Sequence, residues 1–182
     1  KPRGTGQSQR AEKNQVAALN PTLKIESYCI GVLFRKPALL YRLDRTLQEF
    51  GLSALAVEDF EYTDHQLVFG VIRLAVEQDE KAHQHYVMSH LPDTISDVSK
   101  DLLAQTENLE HVENKVFEEL ISLIIDLRRM NAMTNNIQLR FLLEEEQEGV
   151  NKRIYQEQVS QLAKLIYSLD QAKRKLSSKR QV

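Results

Sequence analysis

Apolar residues recur at every third or fourth position through most of this chain, which is the spacing of residues on one face of an α-helix. Six glycines and four prolines are few for 182 residues, and long stretches contain neither, so a sheet with many tight turns is not expected. The pattern therefore predicts an all-α protein. We expect a compact N-terminal helical globule, followed by a long helix and a C-terminal antiparallel helical hairpin.

Four segments follow from changes in this pattern. Residues 1–21 are polar and without a period, so we expect a flexible linker there. Residues 22–106 contain five or so short helices, punctuated by proline and glycine, and form the globular subdomain. Residues 107–177 supply the long helix and the hairpin, and residues 178–182 form a basic tail. Because a linker comes first and the chain begins at Lys1 without a methionine, we expect a fragment of a longer protein.

The hairpin is predicted from the segment that follows residue 107. Three asparagines between positions 131 and 136 interrupt its apolar face, so this stretch forms either one long helix weakened there or two helices that meet at a bend. Gly149 closes the first arm, because glycine adopts the left-handed conformation at little cost. In the second arm, apolar residues at alternating steps of four and three form a narrow seam. The seam residues are Tyr155, Val159, Leu162, Ile166, Leu169 and Leu176.

The formal net charge of -2 is distributed unevenly along the chain. Residues 1–20 carry +3 and residues 173–182 carry +5, which leaves -10 for the middle. An acidic middle argues against a surface that grips nucleic acid, so we do not expect direct nucleic-acid binding by this fragment. No apolar run approaches the roughly 18 residues that cross a bilayer. A single cysteine allows no internal disulfide, and together these features predict a cytoplasmic protein without a membrane partner.

The spacing of the histidines does not predict a metal site. His83 and His85 are two residues apart and point to different sides of a helix, whereas His83 and His90 share a face without a third ligand at helical spacing. We therefore expect ordinary surface histidines, no catalytic residue, no metal and no cofactor in this fragment. The five histidines are His65, His83, His85, His90 and His111.

Other residues whose side chains could take part in catalysis or ligand binding are also expected to have structural roles. The acidic pair Glu58–Asp59 is expected to cap a helical turn. Cys29 lies on the apolar stripe of the first helix, which predicts a packed thiol. Arg128–Arg129 are expected to be solvated arginines on a long helix rather than an anion site. Gly70, inside a helix, predicts close packing against another backbone.

Three stretches of the chain together resemble a known family. The first is PTLKIESYCIGVLFRKPALLYRL, an opening helix that ends at a proline, and the second is LSALAVEDFEYTDHQLVFGVI, an EDF turn followed by a helix. The third is the closing LRFLLEEEQEG with IYQEQVSQLAKLIYSLDQAKRK. In this order they resemble the C-terminal helicase-binding domain of bacterial DNA primase, over about residues 22–176.

The resemblance implies a non-catalytic module that docks onto the N-terminal domain of the replicative hexameric helicase. Docking would recruit primase to the replication fork and modulate helicase activity. The parent protein would be a DNA-directed primer RNA polymerase, whose metal-dependent nucleotidyl transfer would lie upstream of this fragment. The resemblance further implies a bacterial cytoplasmic location, at the nucleoid through the replisome, and a monomer when the fragment is alone.

In this family the terminal hairpin carries much of the docking surface, so the resemblance places the candidate docking residues on its exposed flank. Leu165 lies beside the seam, where it either anchors a partner or widens the hairpin core. The candidate docking residues are Glu144, Glu145, Gln147, Tyr155, Gln158, Gln161, Leu165 and Lys173.

Two alternative functions are retained. The opening helices also resemble the N-terminal collar domain of the replicative helicase itself, which would self-associate into rings. The N-terminal linker and the lack of a phosphate-binding loop favour primase. The other alternative is a nucleic-acid adaptor that uses the basic tail.

Overall fold

The computed structural model describes residues 20–78, 83–109, 113–146 and 149–179. Within these ranges the chain forms seven α-helices, two 3₁₀ turns and no strand, so the all-α prediction is confirmed. None of the helices in these ranges is long and apolar enough to span a bilayer. The helices are α1 (Pro21–Arg35), α2 (Leu39–Glu49), α3 (Thr63–Glu77), α4 (His83–His90), α5 (Ser96–Gln105), α6 (Glu113–Glu145) and α7 (Val150–Lys179). The 3₁₀ turns are Val57–Asp59 and Asp93–Ile95.

Helix α1 is the centre of the globule. Its start is capped by Asn20, whose Oδ1 atom accepts the backbone N–H of Thr22 at 3.0 Å, and Pro21 occupies the first turn, where a missing N–H costs little. Every residue from Cys29 to Phe34 is buried, because α3, α5 and α6 pack around this helix. Cys29 is fully buried, which confirms the packed thiol.

Two glycines inside helices have different surroundings. A Cβ atom on Gly31 would lie 2.7 Å from the Leu102 carbonyl oxygen and 2.7 Å from Thr106 Cγ2, so α1 and α5 approach each other closely because this position has no side chain. A Cβ atom on Gly70 would meet no atom within 4 Å. The prediction of close packing at Gly70 is therefore wrong, and the close approach of two helices occurs at Gly31.

Helix α6 resolves the two alternatives left by the asparagine cluster. It runs unbroken from Glu113 to Glu145, so this stretch forms one long helix rather than two. Asn136 is buried, and its Nδ2 donates to the Val159 carbonyl oxygen of α7 at 3.2 Å, so the cluster supplies a polar contact between the arms. Gly149 has a φ of +152° and turns the chain directly before α7, in a conformation that other residues rarely adopt.

The predicted seam joins α6 and α7 into an antiparallel hairpin. Its root, where α6 enters the globule, is fastened by an ion pair between Arg129 Nε and Asp170 Oδ1 at 2.7 Å. The C-terminal end of α6 and the N-terminal end of α7 form its tip. The seam residues nearest the root, Leu169 and Leu176, are buried, and the other four are half-buried. The α6 residues buried in the globule are Val116, Phe117, Leu120, Ile121, Ile124, Ile125 and Leu127.

Arg128 fastens α6 to the loop between α2 and α3. Its guanidinium donates to the two carboxylate oxygens of Asp59 at 2.8 and 2.6 Å, and to the carbonyl oxygens of Ser53 and Ala54 at 2.8 Å each. Only 7% of Arg128 is exposed, so the prediction of a solvated arginine is wrong for this residue. Asp59 also accepts the backbone N–H of Ala56 at 2.8 Å, which is the acidic cap predicted for this turn.

Two predicted segments lie mostly outside the described residues. The predicted linker overlaps them only at Asn20 and Pro21, which cap and begin α1. The predicted basic tail overlaps them only at Ser178 and Lys179, which are the last residues of α7.

Candidate docking groove on the hairpin

The part of the hairpin beyond the globule has two flanks. Asn136 of α6 and Ile166 of α7 face the opposite arm, and the residues next to them in sequence point about 100° to either side. The residues just before them, Asn135 and Leu165, lie on the side that continues onto the globule, which we call the front flank. The residues just after them lie on the opposite side, which we call the back flank.

A groove of about 530 Å³ runs between the two arms on the front flank. Each arm lines it with four residues at positions i, i+3, i+4 and i+7, because this spacing places side chains on one helix face. We call it the hairpin groove. Its lining residues are Asn135, Gln138, Leu139 and Leu142 of α6, and Gln158, Gln161, Leu162 and Leu165 of α7.

The two arms repeat one sequence pattern in this groove. Residues 135–142 are NNIQLRFL and residues 158–165 are QVSQLAKL, so each arm has an amide, then Gln-Leu after three residues, then a second leucine. Because the arms are antiparallel, an approximate two-fold axis across the groove relates the two copies. The groove therefore presents two matching rows of amides and leucines.

The hairpin groove continues towards the globule as a cleft of about 270 Å³. The cleft shares Asn135, Leu162 and Leu165 with the groove and adds Ser53 and Glu58 from the loop between α2 and α3. The guanidinium contacts described above hold this loop against α6. A partner in the groove would therefore touch the hairpin and the globule together.

The groove is electrically neutral along its centre. No charged residue occurs in residues 130–139 or 158–163. At the globule end, the exposed side chain of Glu58 adds a negative charge to the cleft. A neutral surface of leucines and amides recognises a partner by apolar contact and hydrogen bonds, which suits a helix of another protein.

Three of the eight predicted docking residues meet in the hairpin groove. Gln158 and Gln161 are exposed and line its α7 side. Leu165 is 41% exposed and lines both the groove and the cleft. Of the two interpretations of Leu165, a surface position in the groove agrees with this exposure.

Three of the other predicted residues lie near the tip. Glu144 and Glu145 are exposed at the C-terminal end of α6. Tyr155 is half-buried in the seam. Gln147 lies outside the described residues.

The eighth predicted residue, Lys173, lies at the root of the hairpin. Its ammonium group donates to the Asp126 carboxylate and to the Ser122 hydroxyl of α6. The side chain is only 35% exposed and joins the two arms, so its placement on the exposed flank is wrong.

Sequence reasoning missed the α6 side of the groove. The signal was the pattern repeated in the two arms, with an amide, Gln-Leu and leucine at the same spacing. The asparagine cluster was interpreted as an interruption of the apolar face, whereas Asn135 is one amide of that pattern. The four missed residues are Asn135, Gln138, Leu139 and Leu142.

A polar cluster inside the globule has the hydrogen-bond order of a catalytic triad. His65 Nδ1 lies 2.8 Å from Glu26 Oε2, and His65 Nε2 lies 3.3 Å from Ser27 Oγ. All three residues are buried, and the Glu26 carboxylate also accepts the backbone N–H groups of Glu61 and Tyr62. We interpret the cluster as structural, because Glu26 of α1 holds the start of α3. The prediction of a surface histidine is wrong for His65.

Metal and thiol chemistry receive no support from the described part of the chain. There, no group of three or more His, Cys, Asp or Glu residues could hold a metal ion, and His111 lies outside it. Burial, together with the nearby carboxylates of Glu26 and Glu119, raises the pKa of the Cys29 thiol. A thiol that stays protonated is a poor nucleophile.

No protein-family model matches this chain, and no curated protein or solved structure gives a significant match to it.

Proposed function

We propose that this chain is the helicase-binding domain of a bacterial DNA primase, and that its hairpin groove docks onto the N-terminal domain of the replicative hexameric helicase. In this proposal, docking recruits primase to the replication fork and modulates helicase activity. The resemblance of the opening helices and of the closing hairpin supports the family. The observation that carries the docking role is the neutral groove between two antiparallel arms with matching amides and leucines.

The contacts available in the groove set the scale of binding. Leu142 and Leu165 are each 41% exposed, so covering either of them fully contributes about 1 kcal/mol. The amides of Gln158 and Gln161 offer donors and acceptors at the rim, which fix the orientation of a partner helix. Glu58 adds a preference for a cationic partner residue at the globule end.

The proposal gives this domain a binding role and no chemical step. Nucleotidyl transfer would belong to another part of the parent polymerase, and this domain would work without a cofactor. The proposed location is the bacterial cytoplasm, at the nucleoid through the replisome.

The test is to mix the chain with the replicative helicase of the same source and to measure the mass of the complex and the ATPase rate. We expect a stable complex and a changed ATPase rate. Leu165→Asp should weaken the complex by about ten-fold, because it places a carboxylate in the groove at a cost of roughly 1.4 kcal/mol or more. Circular dichroism should show unchanged helical content. Tyr155→Ala should weaken both the complex and the seam.

Leu74→Asp is the matched control, because Leu74 is 51% exposed on α3, away from the hairpin. It should bind the helicase as the unchanged chain does. Equal binding by the Leu165 and Leu74 variants would remove the groove as the docking surface. A ring that forms without added helicase would favour the collar domain, and salt-dependent binding of single-stranded DNA that is lost on deleting residues 173–182 would favour the adaptor.

A further inference from the structure

The hairpin groove has a carboxylate at each end. At the globule end, the exposed side chain of Glu58 lines the cleft that continues the groove. At the tip end, Glu146 follows the groove residue Leu142, and its backbone N–H donates to the Leu142 carbonyl oxygen at 3.2 Å. Residues joined by this helical hydrogen bond lie on one face, so Glu146 belongs to the groove side of α6.

Neither carboxylate is neutralised within the chain. A Cβ atom on Gly149 would lie 3.5 Å from Glu146 Oε1, so this carboxylate is beside the residue that turns the chain into α7. In the part of the chain that the structure describes, no cation pairs with the side chain of Glu58 or Glu146. A partner that covers these carboxylates must supply positive charges, because burying an unpaired carboxylate is costly.

The separation of the two carboxylates follows from the register of α6. Asn131 Nδ2 donates to the backbone carbonyl oxygen of Asp59 at 3.1 Å, so the preceding residue, Glu58, lies near the level of Asn131. Glu146 lies 15 residues further along α6, which is a rise of about 22 Å. Between these two levels, the centre of the groove is uncharged, as described above.

The other charges at the globule end cancel in pairs. Arg128 and Asp59 form the ion pair that holds the loop, with a shortest distance of 2.6 Å. Arg45 and Glu49, at the end of α2, pair with each other at 3.7 Å. Glu58 is therefore the charge that a partner meets in the cleft.

The charges on α7 nearest the groove point away from it. Lys164, Lys175 and Glu157 lie two, nine and nine residues from the seam residue Ile166. Because each residue turns the helix by about 100°, all three lie on the face of α7 opposite the seam. They therefore border the groove without lining it.

The cations near the tip also lie off the groove. Residues 140–153 contain three basic and four acidic residues. Counted from the seam positions by the same angle, the basic residues turn towards the back flank, and so does Glu144, whereas Glu146 lies on the front flank. The three basic residues are Arg140, Lys152 and Arg153.

We propose that the helicase helix received by the hairpin groove is basic at both ends, with two lysine or arginine residues about 11–15 positions apart. This inference rests on the proposed function and specifies the element of the partner that docks. One cation meets Glu58 in the cleft, and the other meets Glu146 at the tip. Long side chains can span the last helical turn, so a spacing of three to four turns fits. The apolar residues between them cover the leucines of the groove.

Both ends of the groove have the same sign of charge. A helix with a cation at each end therefore fits in either direction along the groove. The groove selects the spacing of the two cations and not the direction of the helix.

The first test is binding of the N-terminal domain of the helicase to the full chain at low and at high salt. Glu58→Lys and Glu146→Lys should each weaken the complex about five-fold at about 50 mM salt and less than about two-fold at about 500 mM, because salt screens charges at the rim. The matched controls are Glu61→Lys in the same loop and Glu144→Lys on the back flank. Both controls should bind as the unchanged chain does, with unchanged helical content.

The second test locates the partner helix. A photo-crosslinking residue is placed at position 58 or at position 146, and mass spectrometry identifies the attached helicase residues. Both positions should attach to one helicase helix, next to basic residues about 11–15 positions apart. Attachment to two different helices, or beside residues without positive charge, would overturn the inference.

The outcomes separate this inference from the proposed function. If Leu165→Asp weakens the complex and the two lysine variants do not, only the charge inference fails. If Leu165→Asp has no effect, or if no complex forms, the proposed docking fails and this inference fails with it.

Discussion

Replacing Arg128 with methionine should release the loop between α2 and α3 from the hairpin root. Methionine keeps most of the side-chain volume, so the change removes the guanidinium and leaves the apolar packing largely in place. Four hydrogen bonds are lost, two to Asp59 and one each to the carbonyl oxygens of Ser53 and Ala54. The variant thus isolates the contact that joins the globule to the groove.

The expected cost is about 3 kcal/mol in the free energy of unfolding. Removing one partner of a buried ion pair costs about 3–5 kcal/mol, because the remaining charge stays buried without a partner. The Asp59 side chain is 17% exposed, so water solvates it in part and the lower end of this range applies. The matched control is Arg129→Met, whose ion pair with Asp170 is 40% and 42% exposed and is worth at most about 1 kcal/mol.

Urea unfolding followed by circular dichroism measures both variants. With a denaturant slope of about 2 kcal/mol per M, Arg128→Met should lower the midpoint by about 1.5 M and Arg129→Met by less than about 0.5 M. Lysine at position 128 should recover little, because it cannot form the two-pronged contact with Asp59. Equal midpoint shifts for the two methionine variants would refute the stabilising role of the Arg128 contacts with this loop.

Three further predictions concern the globule. Gly31→Ala should destabilise the fold by about 1–3 kcal/mol, since the new Cβ would lie 2.7 Å from each of two atoms, whereas Gly70→Ala should stabilise it by about 0.5–1 kcal/mol. Thermal unfolding compares the two variants, and equal effects would contradict the close packing at Gly31. Glu26→Gln should cost about 2 kcal/mol by weakening the acceptor of three donors, and an unchanged urea midpoint would show that the cluster is dispensable. Burial raises the pKa of the Cys29 thiol above its value in the unfolded chain, so the contribution of the protonated thiol to stability is complete below about pH 8.5 and is lost as the pH rises beyond it. Iodoacetamide should label Cys29 only after unfolding, and rapid labelling of the folded chain would contradict its burial.

The helical class and the hairpin seam could be predicted from the sequence because they depend on local periodicity. Leu169 and Leu176 repeat at heptad spacing, and both are buried. The polar interior could not be predicted in this way. Arg128 meets Asp59 across 69 positions of sequence, and His65 meets Glu26 across 39, so neither pairing leaves a local signal. An arginine or histidine without a visible partner was therefore assigned to the surface.

Only part of the candidate site could be predicted from the sequence. Gln158, Gln161 and Leu165 followed from the family resemblance, which implies docking residues on the exposed flank of the hairpin. Lys173 was misplaced because its partner Asp126 lies 47 positions earlier, on the other arm. Predicting the α6 side of the groove would have required recognising that the asparagine cluster continues the amide and leucine pattern. This is difficult from sequence alone, because Asn135 becomes part of a surface only when the two arms lie side by side.

The most direct test of the docking claim is hydrogen exchange of the chain with and without the N-terminal domain of the replicative helicase. If the hairpin groove is the docking surface, amide exchange should slow in residues 135–142 and 158–165 together. Exchange in α2, on the globule, should not change. Protection confined to the globule, or none in either arm of the hairpin when the complex is saturated, would contradict the account.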